Sequence, residues 1–176
     1  MATKGQYPDP QTGEARPITS FCRANLEIQG NLGLTDAEMR AHRPGFRFAY
    51  QMCFLITLVG TVLQSIPVLV VAATTAFFAI FPPNHPFDYV YNATLGRMLN
   101  RPDLPPRTAQ GRFACSLATV WLIVIIVLFA VGMPMAATVT AAVLLLSAGL
   151  VGFFDICIPS MVYNLAVFKH LYPKQP

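Results

Sequence analysis

The segment Cys157-Ile158-Pro159-Ser160 carries the side chain best suited to chemistry in this chain. Proline is favoured at the first position of a helix, so a helix that begins at Pro159 would place the Cys157 sulfur near its N-terminus. The partial positive charge there lowers the pKa of a thiol and raises its thiolate fraction. Ser160 cannot act as a resolving thiol, so the motif suits mixed disulfides or a modification rather than internal dithiol exchange. The alternative is a small buried residue at a helix junction.

The other cysteines and the histidines match no known metal motif. Cys53 and Cys115 each lie about one turn inside an apolar stretch, where cysteine commonly acts as a small apolar residue. The histidines are far apart, and none has a second ligand at helical spacing. A metal site in which Cys22, Cys157 and His170 meet at the cytoplasmic face is an alternative. We therefore expect no metal site and no cofactor, and we expect no enzyme because phosphate loops, nucleophile elbows and paired catalytic carboxylates are not visible.

Asp155 is the acid that directly adjoins an expected membrane helix without an intervening loop. A carboxylate is costly in lipid, so such a residue is either functional or paired at the interface. We favour a salt bridge at headgroup level, with Arg47 or Arg112, over a role in proton relay. Arg47, Arg112 and Asp155 are therefore expected to be topology and interface residues.

Trp121 is expected deep in the membrane, about 13 Å past Arg112 at roughly 1.5 Å per residue. Tryptophan usually anchors at the interface instead, so the indole N–H of Trp121 needs a partner. The residue is a candidate contact for a protein partner, a pigment or a quinone.

The composition places these residues in a membrane protein. Hydrophobic residues make up 55% of the chain and charged residues 11%, the latter about half the share typical of soluble domains. Residues 48–87 and 113–154 contain no Asp, Glu, Lys or Arg. A bilayer core of roughly 30 Å takes about 20 apolar residues, so each stretch suits two crossings. The net charge of +4 comes with arginines that flank these stretches, which predicts contact with a lipid bilayer and not with nucleic acid. Two long buried helices of a soluble protein are the alternative.

Two short turns divide the apolar stretches into four expected spans. The turns are Gln64-Ser65-Ile66-Pro67 and Gly132-Met133-Pro134, and proline favours a helix start at each. All 12 Lys and Arg residues then lie on one side, which the positive-inside rule makes the cytoplasm. Both termini are expected to be cytoplasmic. The expected spans are residues 46–63, 67–82, 113–131 and 134–154.

The two halves of the chain carry the same sequence marks in the same order. Arg47-Phe48-Ala49 and Arg112-Phe113-Ala114 precede the apolar stretches, and Val90-Tyr91-Asn92 and Val162-Tyr163-Asn164 follow them. This order predicts a parallel repeat, with chance similarity as the alternative. The expected fold is an all-α membrane protein with four transmembrane helices in two tandem hairpins, each followed by a cytoplasmic interfacial helix.

Polar and proline-rich segments separate these units. Residues 1–34 are expected to form an irregular N-terminal arm, because they are polar and carry few regularly spaced apolar residues. Residues 35–100 would form the first hairpin, with a short leading helix that begins at a Thr35 and Glu38 capping box and stops before Pro44, and with its interfacial helix. Residues 101–111 would be a proline-rich linker. Residues 112–176 would form the second hairpin and a C-terminal interfacial helix.

Several of these segments resemble one known family. The chain is similar to an uncharacterised family of small bacterial inner-membrane proteins with about four transmembrane helices, known as a domain of unknown function. The similar segments are residues 43–49, Arg101-Pro102, Pro105-Pro106, residues 112–114 and residues 157–165. The resemblance covers roughly residues 35–168. Many members carry Cys-x-x-Cys where this chain has Cys157-x-x-Ser160. The resemblance implies a location in the bacterial inner (cytoplasmic) membrane and implies no particular activity.

These observations favour a non-enzymatic accessory or assembly subunit of a larger bacterial membrane complex, in contact with other membrane-protein subunits. The alternative is a membrane component of thiol or sulfur redox handling that uses Cys157. Passage of a small molecule through the bundle has the least support, because no polar path is apparent along the expected spans.

Overall fold

The structure is a computed structural model that describes residues 18–81 and 83–167. The described residues are helical and contain no strand, which confirms the predicted all-α class. A π-helical turn, Asn92–Gly96, continues the fourth helix. The helices are α1 (Ser20–Ile28), α2 (Asp36–Val62), α3 (Ile66–Phe78), α4 (Pro86–Tyr91), α5 (Ala109–Ala130), α6 (Pro134–Phe154) and α7 (Ile158–Val167).

Helix α2 is continuous although Pro44 lies inside it. The predicted stop before Pro44 is therefore wrong, whereas the predicted capping box between Thr35 and Glu38 is present. Proline removes one backbone hydrogen bond from a helix. The helix continues because the next residue is Gly45, which lets the backbone pack directly against Tyr91 and Leu104: a Cβ there would lie 2.7 Å from the Tyr91 Cε1 atom and 2.5 Å from Leu104 Cδ2. Tertiary packing offsets the local cost of the proline.

Three helices, α2, α5 and α6, are long and apolar enough to cross a membrane. Helix α3 has 13 residues, which gives it a length of ~20 Å against a bilayer core of roughly 30 Å. Helix α6 has the predicted bounds, whereas α5 begins before the expected residue 113 because Thr108 caps it: the Thr108 Oγ1 atom accepts from the Gly111 N–H at 3.1 Å. The described structure thus contains three candidate spans where four were expected.

The turns between α2 and α3 and between α5 and α6 have the same hydrogen-bond pattern. In each turn, a backbone N–H donates to the carbonyl five positions earlier, which is the Schellman arrangement at a helix C-terminus. The residue before each donor has a positive φ, 48° at Gln64 and 76° at Gly132. The bonds run from Ser65 to Gly60 at 2.8 Å and from Met133 to Leu128 at 2.9 Å.

The two helical pairs pack against each other in a reciprocal way. Helix α2 contacts α6, and α5 contacts α3. The short helix α4 lies on α2, and α7 lies on α5. The main core contains mostly small residues of α3 and α6 with two larger side chains of α5, which allows close helix approach. Its buried members are Leu69, Ala72, Ala73, Ala76, Leu122, Ile125, Ala137 and Ala141.

Part of the segment expected to be irregular is helical. Helix α1 lies within residues 1–34, and Thr19 caps it by accepting from the Cys22 N–H at 3.4 Å. Cys22 and Leu26 are buried with Met39 of α2. Two buried apolar residues are too few to give a visible helical periodicity in the sequence. Helix α1 is instead stabilised by its packing against α2. The expected features at residues 1–17 and 168–176 lie outside the described residues.

Candidate functional site

Asp155 binds two arginines of α2 at the end of α6. Arg47 donates from Nε to Oδ1 at 2.7 Å and from Nη2 to Oδ2 at 2.7 Å, and Arg43 donates from Nε to Oδ2 at 2.9 Å. The Cys22 thiol donates to Oδ2 at 3.4 Å, and the Gln29 side chain donates to the Asp155 carbonyl at 2.7 Å. Asp155 therefore ties α1, α2 and the end of α6 together.

The two arginines reach one carboxylate because they are four residues apart on a continuous helix. Asp155 is the C-cap of α6 and has a left-handed backbone, with φ 64°. Burial alone would raise the pKa of Asp155, but the hydrogen bonds from Arg47 and Arg43 outweigh burial and hold the pKa below its ordinary value. Of the two partners expected from the sequence, the structure pairs Asp155 with Arg47, whereas Arg112 is exposed.

A second, more deeply buried ion pair joins α4 to the linker. Arg107 donates from Nε and Nη2 to the two carboxylate oxygens of Asp88, both at 2.8 Å. The side chains of Arg107 and Asp88 are only 8% and 3% exposed. The guanidinium also lies 5.0 Å from the centre of the Tyr50 ring, in cation–π geometry. Arg107 therefore attaches the linker to the bundle, and its charge is compensated inside the protein by Asp88.

His85 caps the start of α4 beside this pair. Its backbone N–H donates to Asp88 Oδ2 at 2.9 Å, and its Nδ1 atom accepts from the Phe87 N–H at 3.2 Å. The ring is 3% exposed. Burial, together with the neighbouring charge of Arg107, lowers the pKa of His85 to about 3. The imidazole is consequently neutral at physiological pH.

A cavity of about 380 Å³ lies next to His85, among α2, α5, α6 and the start of α7. Three of the four free cysteines line it, although they are remote in the sequence: Cys53, Cys115 and Cys157. The Cys53 sulfur lies 3.6 Å from His85 Nε2. The remaining lining is mainly aliphatic. Thiols and one imidazole therefore meet at the wall of an apolar space.

Cys157 directly precedes α7, as the sequence suggested. The thiol is 2% exposed, and its sulfur accepts a hydrogen bond from the Ser160 hydroxyl at 3.0 Å. Burial raises the pKa of Cys157, and the Ser160 hydrogen bond opposes only part of that effect. The pKa is therefore shifted in the opposite direction from the lowering expected at a helix N-terminus, because desolvation of the thiolate outweighs the helix dipole.

Trp121 lines the same cavity, and its indole N–H has a partner inside the protein. The Nε1 atom donates to the Thr140 carbonyl of α6 at 2.9 Å. The Thr140 hydroxyl donates in turn to the Ala136 carbonyl at 2.7 Å. The N–H of Trp121 therefore calls for no external partner, although about a third of the residue, 36%, is exposed.

Within residues 18–81 and 83–167, no group of three or more His, Cys, Asp or Glu side chains is arranged to hold a metal ion. Cys22 lies against Asp155, and Cys157 lies against Ser160. His170, the third member of the metal alternative, lies outside the described residues.

Sequence reasoning missed His85, Asp88, Arg107 and Tyr50. One local signal was available, since His85 and Asp88 have the three-residue spacing of a capping box ahead of a predicted helix. Nothing in the sequence places Arg107 or Tyr50 beside them, because that contact depends on how the linker folds back over α2.

Long apolar helices with charges confined to one end define a helical integral membrane protein. The chain belongs to the family described as domain of unknown function DUF4395, whose model matches residues 42–167. This match confirms the resemblance seen in the sequence. No curated protein and no solved structure matches the chain.

Proposed function

We propose that the protein crosses the membrane four times, as two tandem hairpins in parallel orientation with both termini in the cytoplasm. The matching turns support this arrangement, and so does the reciprocal packing of α2, α3, α5 and α6. Equivalent aromatic pairs give further support: the ring centres of Phe48 and Tyr91 are 5.6 Å apart, and those of Phe113 and Tyr163 are 5.3 Å apart. Helix α3 would complete its crossing with the apolar residues Ala79, Ile80 and Phe81 that follow it.

Labelling from outside intact cells tests this topology. The variants Gln64→Cys and Gly132→Cys should both react with a membrane-impermeant maleimide, whereas Asn100→Cys should react only after permeabilisation. The native cysteines give a low background because none of them is exposed. Labelling of Gly132→Cys alone from outside would show that the first hairpin does not cross.

We propose further that the protein is a non-enzymatic accessory or assembly subunit of a larger bacterial inner-membrane complex. The observation that carries the proposal is a set of large apolar side chains that are exposed outside the candidate spans. Phe21, Leu32 and Met98 are 61%, 65% and 81% exposed. Exposed apolar side chains outside the spans suit contact with another protein. The charged groups nearby, Asp88 and Asp155, are already paired inside the chain.

Purification in a mild detergent, followed by mass measurement, tests this role. We expect a stoichiometric partner that is lost from Phe21→Ser and Met98→Ser and retained by Val139→Ser, a matched change on the exposed face of α6. Folding of each variant is checked by its thermal unfolding. A protein that is monomeric and without a partner after such a purification would contradict the proposal.

A second candidate function is thiol or sulfur redox handling, which the meeting of Cys53, Cys115 and Cys157 at one cavity favours. Reaction with a membrane-permeant thiol reagent across a range of pH would test it. This function requires Cys157 to react faster than Cys22, a buried thiol away from the cavity. Reaction of both thiols at the slow rate of buried cysteines would rule it out.

A further inference from the structure

The cavity beside His85 has the features of a ligand site. Its volume of about 380 Å³ falls within the range of small-molecule pockets, roughly 300 to 1,000 Å³. Its lining includes Trp121, Val143 and Leu146, which are 36%, 49% and 70% exposed on α5 and α6. Because these rim residues lie on membrane-spanning helices, the cavity opens sideways toward the hydrocarbon of the bilayer. A ligand would therefore enter from the lipid.

The inner wall includes His85, whose ring offers a hydrogen-bond donor of defined position. Since His85 Nδ1 accepts from the Phe87 N–H, the hydrogen-bond network assigns the proton of the neutral ring to Nε2. Nε2 contacts the Cys53 sulfur at 3.6 Å, and a thiol is a weak acceptor. The backbone bonds of the cap hold the ring in place. A buried N–H in an apolar wall thus has only a weak partner.

We propose that this cavity binds the ring of a quinone-type membrane lipid, with a quinone carbonyl accepting the hydrogen bond from His85 Nε2 and the tail lying among the rim residues of α5 and α6.

Each part of this ligand answers a feature of the cavity. The carbonyl oxygen accepts the hydrogen bond from His85, whereas a plain acyl chain would leave that donor without an acceptor. The ring and tail answer the aliphatic lining and the lateral opening. His85 does not suit a metal-bearing pigment, because Nε2 carries the proton and has no lone pair to offer a metal. The low pKa of His85 keeps this donor neutral in the apolar site.

The single tryptophan of the chain, Trp121, reports on occupancy because it lines the cavity. We would titrate the purified protein in lipid nanodiscs with a fully substituted benzoquinone carrying a short alkyl tail. Full substitution leaves no ring position to which a cysteine could add. We expect saturable quenching of Trp121 fluorescence, and we expect an alkylbenzene of the same tail length not to compete.

Matched variants locate the site. Ala148→Phe fills the cavity and should abolish saturable quenching, whereas Ala142→Phe, at an exposed alanine of the same helix that does not line the cavity, should leave it unchanged. His85→Asn keeps a side chain that caps α4 but removes the Nε2 donor. Loss of one hydrogen bond should weaken binding about three- to tenfold.

Three results would overturn the proposal. Non-saturable quenching, or quenching that is equal in Ala148→Phe and wild type, would mean partition into lipid only. Competition by the alkylbenzene at the same concentration would mean a pocket for any apolar chain. Unchanged affinity in His85→Asn, with its thermal unfolding retained, would remove His85 from the site.

Discussion

The two helical hairpins are alike in their turns and aromatic contacts, but they differ where their short C-terminal helices begin. Helix α4 begins at Pro86, with His85 as its N-cap and Asp88 in its first turn. Helix α7 begins at Ile158, directly after Cys157, with Ser160 in its first turn. Ser160 occupies the position equivalent to Asp88 relative to the shared Val-Tyr-Asn. One start is a charged cap fastened by Arg107, and the other is an uncharged contact between a hydroxyl and a thiol. The shared turns and aromatic contacts therefore belong to the helical bundle, whereas the cavity lies where the two halves differ.

The two hairpins also differ in the ion pairs that join them. The arginines of α2 bind Asp155 at the end of the second hairpin, and Arg107, just before α5, binds Asp88 of the first. Arg112, the counterpart of Arg47, is exposed. Each half is therefore held by an ion pair that reaches into the other, although the two pairs do not involve matching sequence positions.

The largest expected effect comes from breaking the cap of α4. Asp88→Ala should destabilise the protein by about 3–5 kcal/mol, because it leaves the Arg107 charge buried without a partner. The equivalent change in the second hairpin, Ser160→Ala, should cost only about 1 kcal/mol. Thermal unfolding in detergent measures both. Equal losses would show that the two helix starts are energetically the same.

Asp155→Asn should have the next largest effect, a loss of about 1.5–3 kcal/mol, because charge-assisted hydrogen bonds to Arg43 and Arg47 are weakened. Asparagine tolerates the left-handed backbone at this position, so the loss reports on the charge. Thermal unfolding in the same detergent measures the loss. Arg112→Gln is the control, with an expected change within about 0.5 kcal/mol.

The pH dependence of stability separates Asp155 from His85. The pKa of Asp155 is lowered by folding, so its contribution is present above the unfolded pKa, near 3.8, and is lost as the pH falls through the lower folded pKa. His85 has a pKa of about 3 when folded and about 6.5 when unfolded. Between these values the unfolded state binds more protons, so stability falls as the pH falls, by at most about 1.4 kcal/mol per pH unit.

Roughly between pH 7 and pH 4, His85 is the one of these two residues whose folded and unfolded states differ in bound protons. The free energy of unfolding should therefore change with pH over this range, and His85→Asn should reduce that slope. Asp155→Asn should leave that slope in place. An unchanged slope in His85→Asn would show that another group governs acid sensitivity.

The smallest effects concern the matched turns. Gln64 and Gly132 occupy the same positive-φ position, which glycine adopts without strain. Gln64→Gly should stabilise the protein by a few tenths of a kcal/mol, and Gly132→Gln should destabilise it by about 1 kcal/mol, both measured by thermal unfolding. Effects of the same sign in both variants would show that the turns are not equivalent.

The helical membrane class, the positions of the turns and the bounds of α6 could be predicted from the sequence, because they depend on the lengths of apolar stretches and on local proline and glycine chemistry. The same local rules were wrong at Pro44 and gave no indication of α1. In both places a neighbouring element supplies the stabilisation, Tyr91 and Leu104 for α2 and Met39 for α1.

The site shows the same division. The sequence by itself determined that Asp155 sits at a helix end and needs a positive partner, since a carboxylate beside lipid must be compensated. Only the tertiary structure decided that the partners are Arg43 and Arg47, and that three cysteines meet His85 at one cavity. The physical reason is that contacts between helix ends depend on how the hairpins pack, and that packing is set by surfaces far apart in the chain.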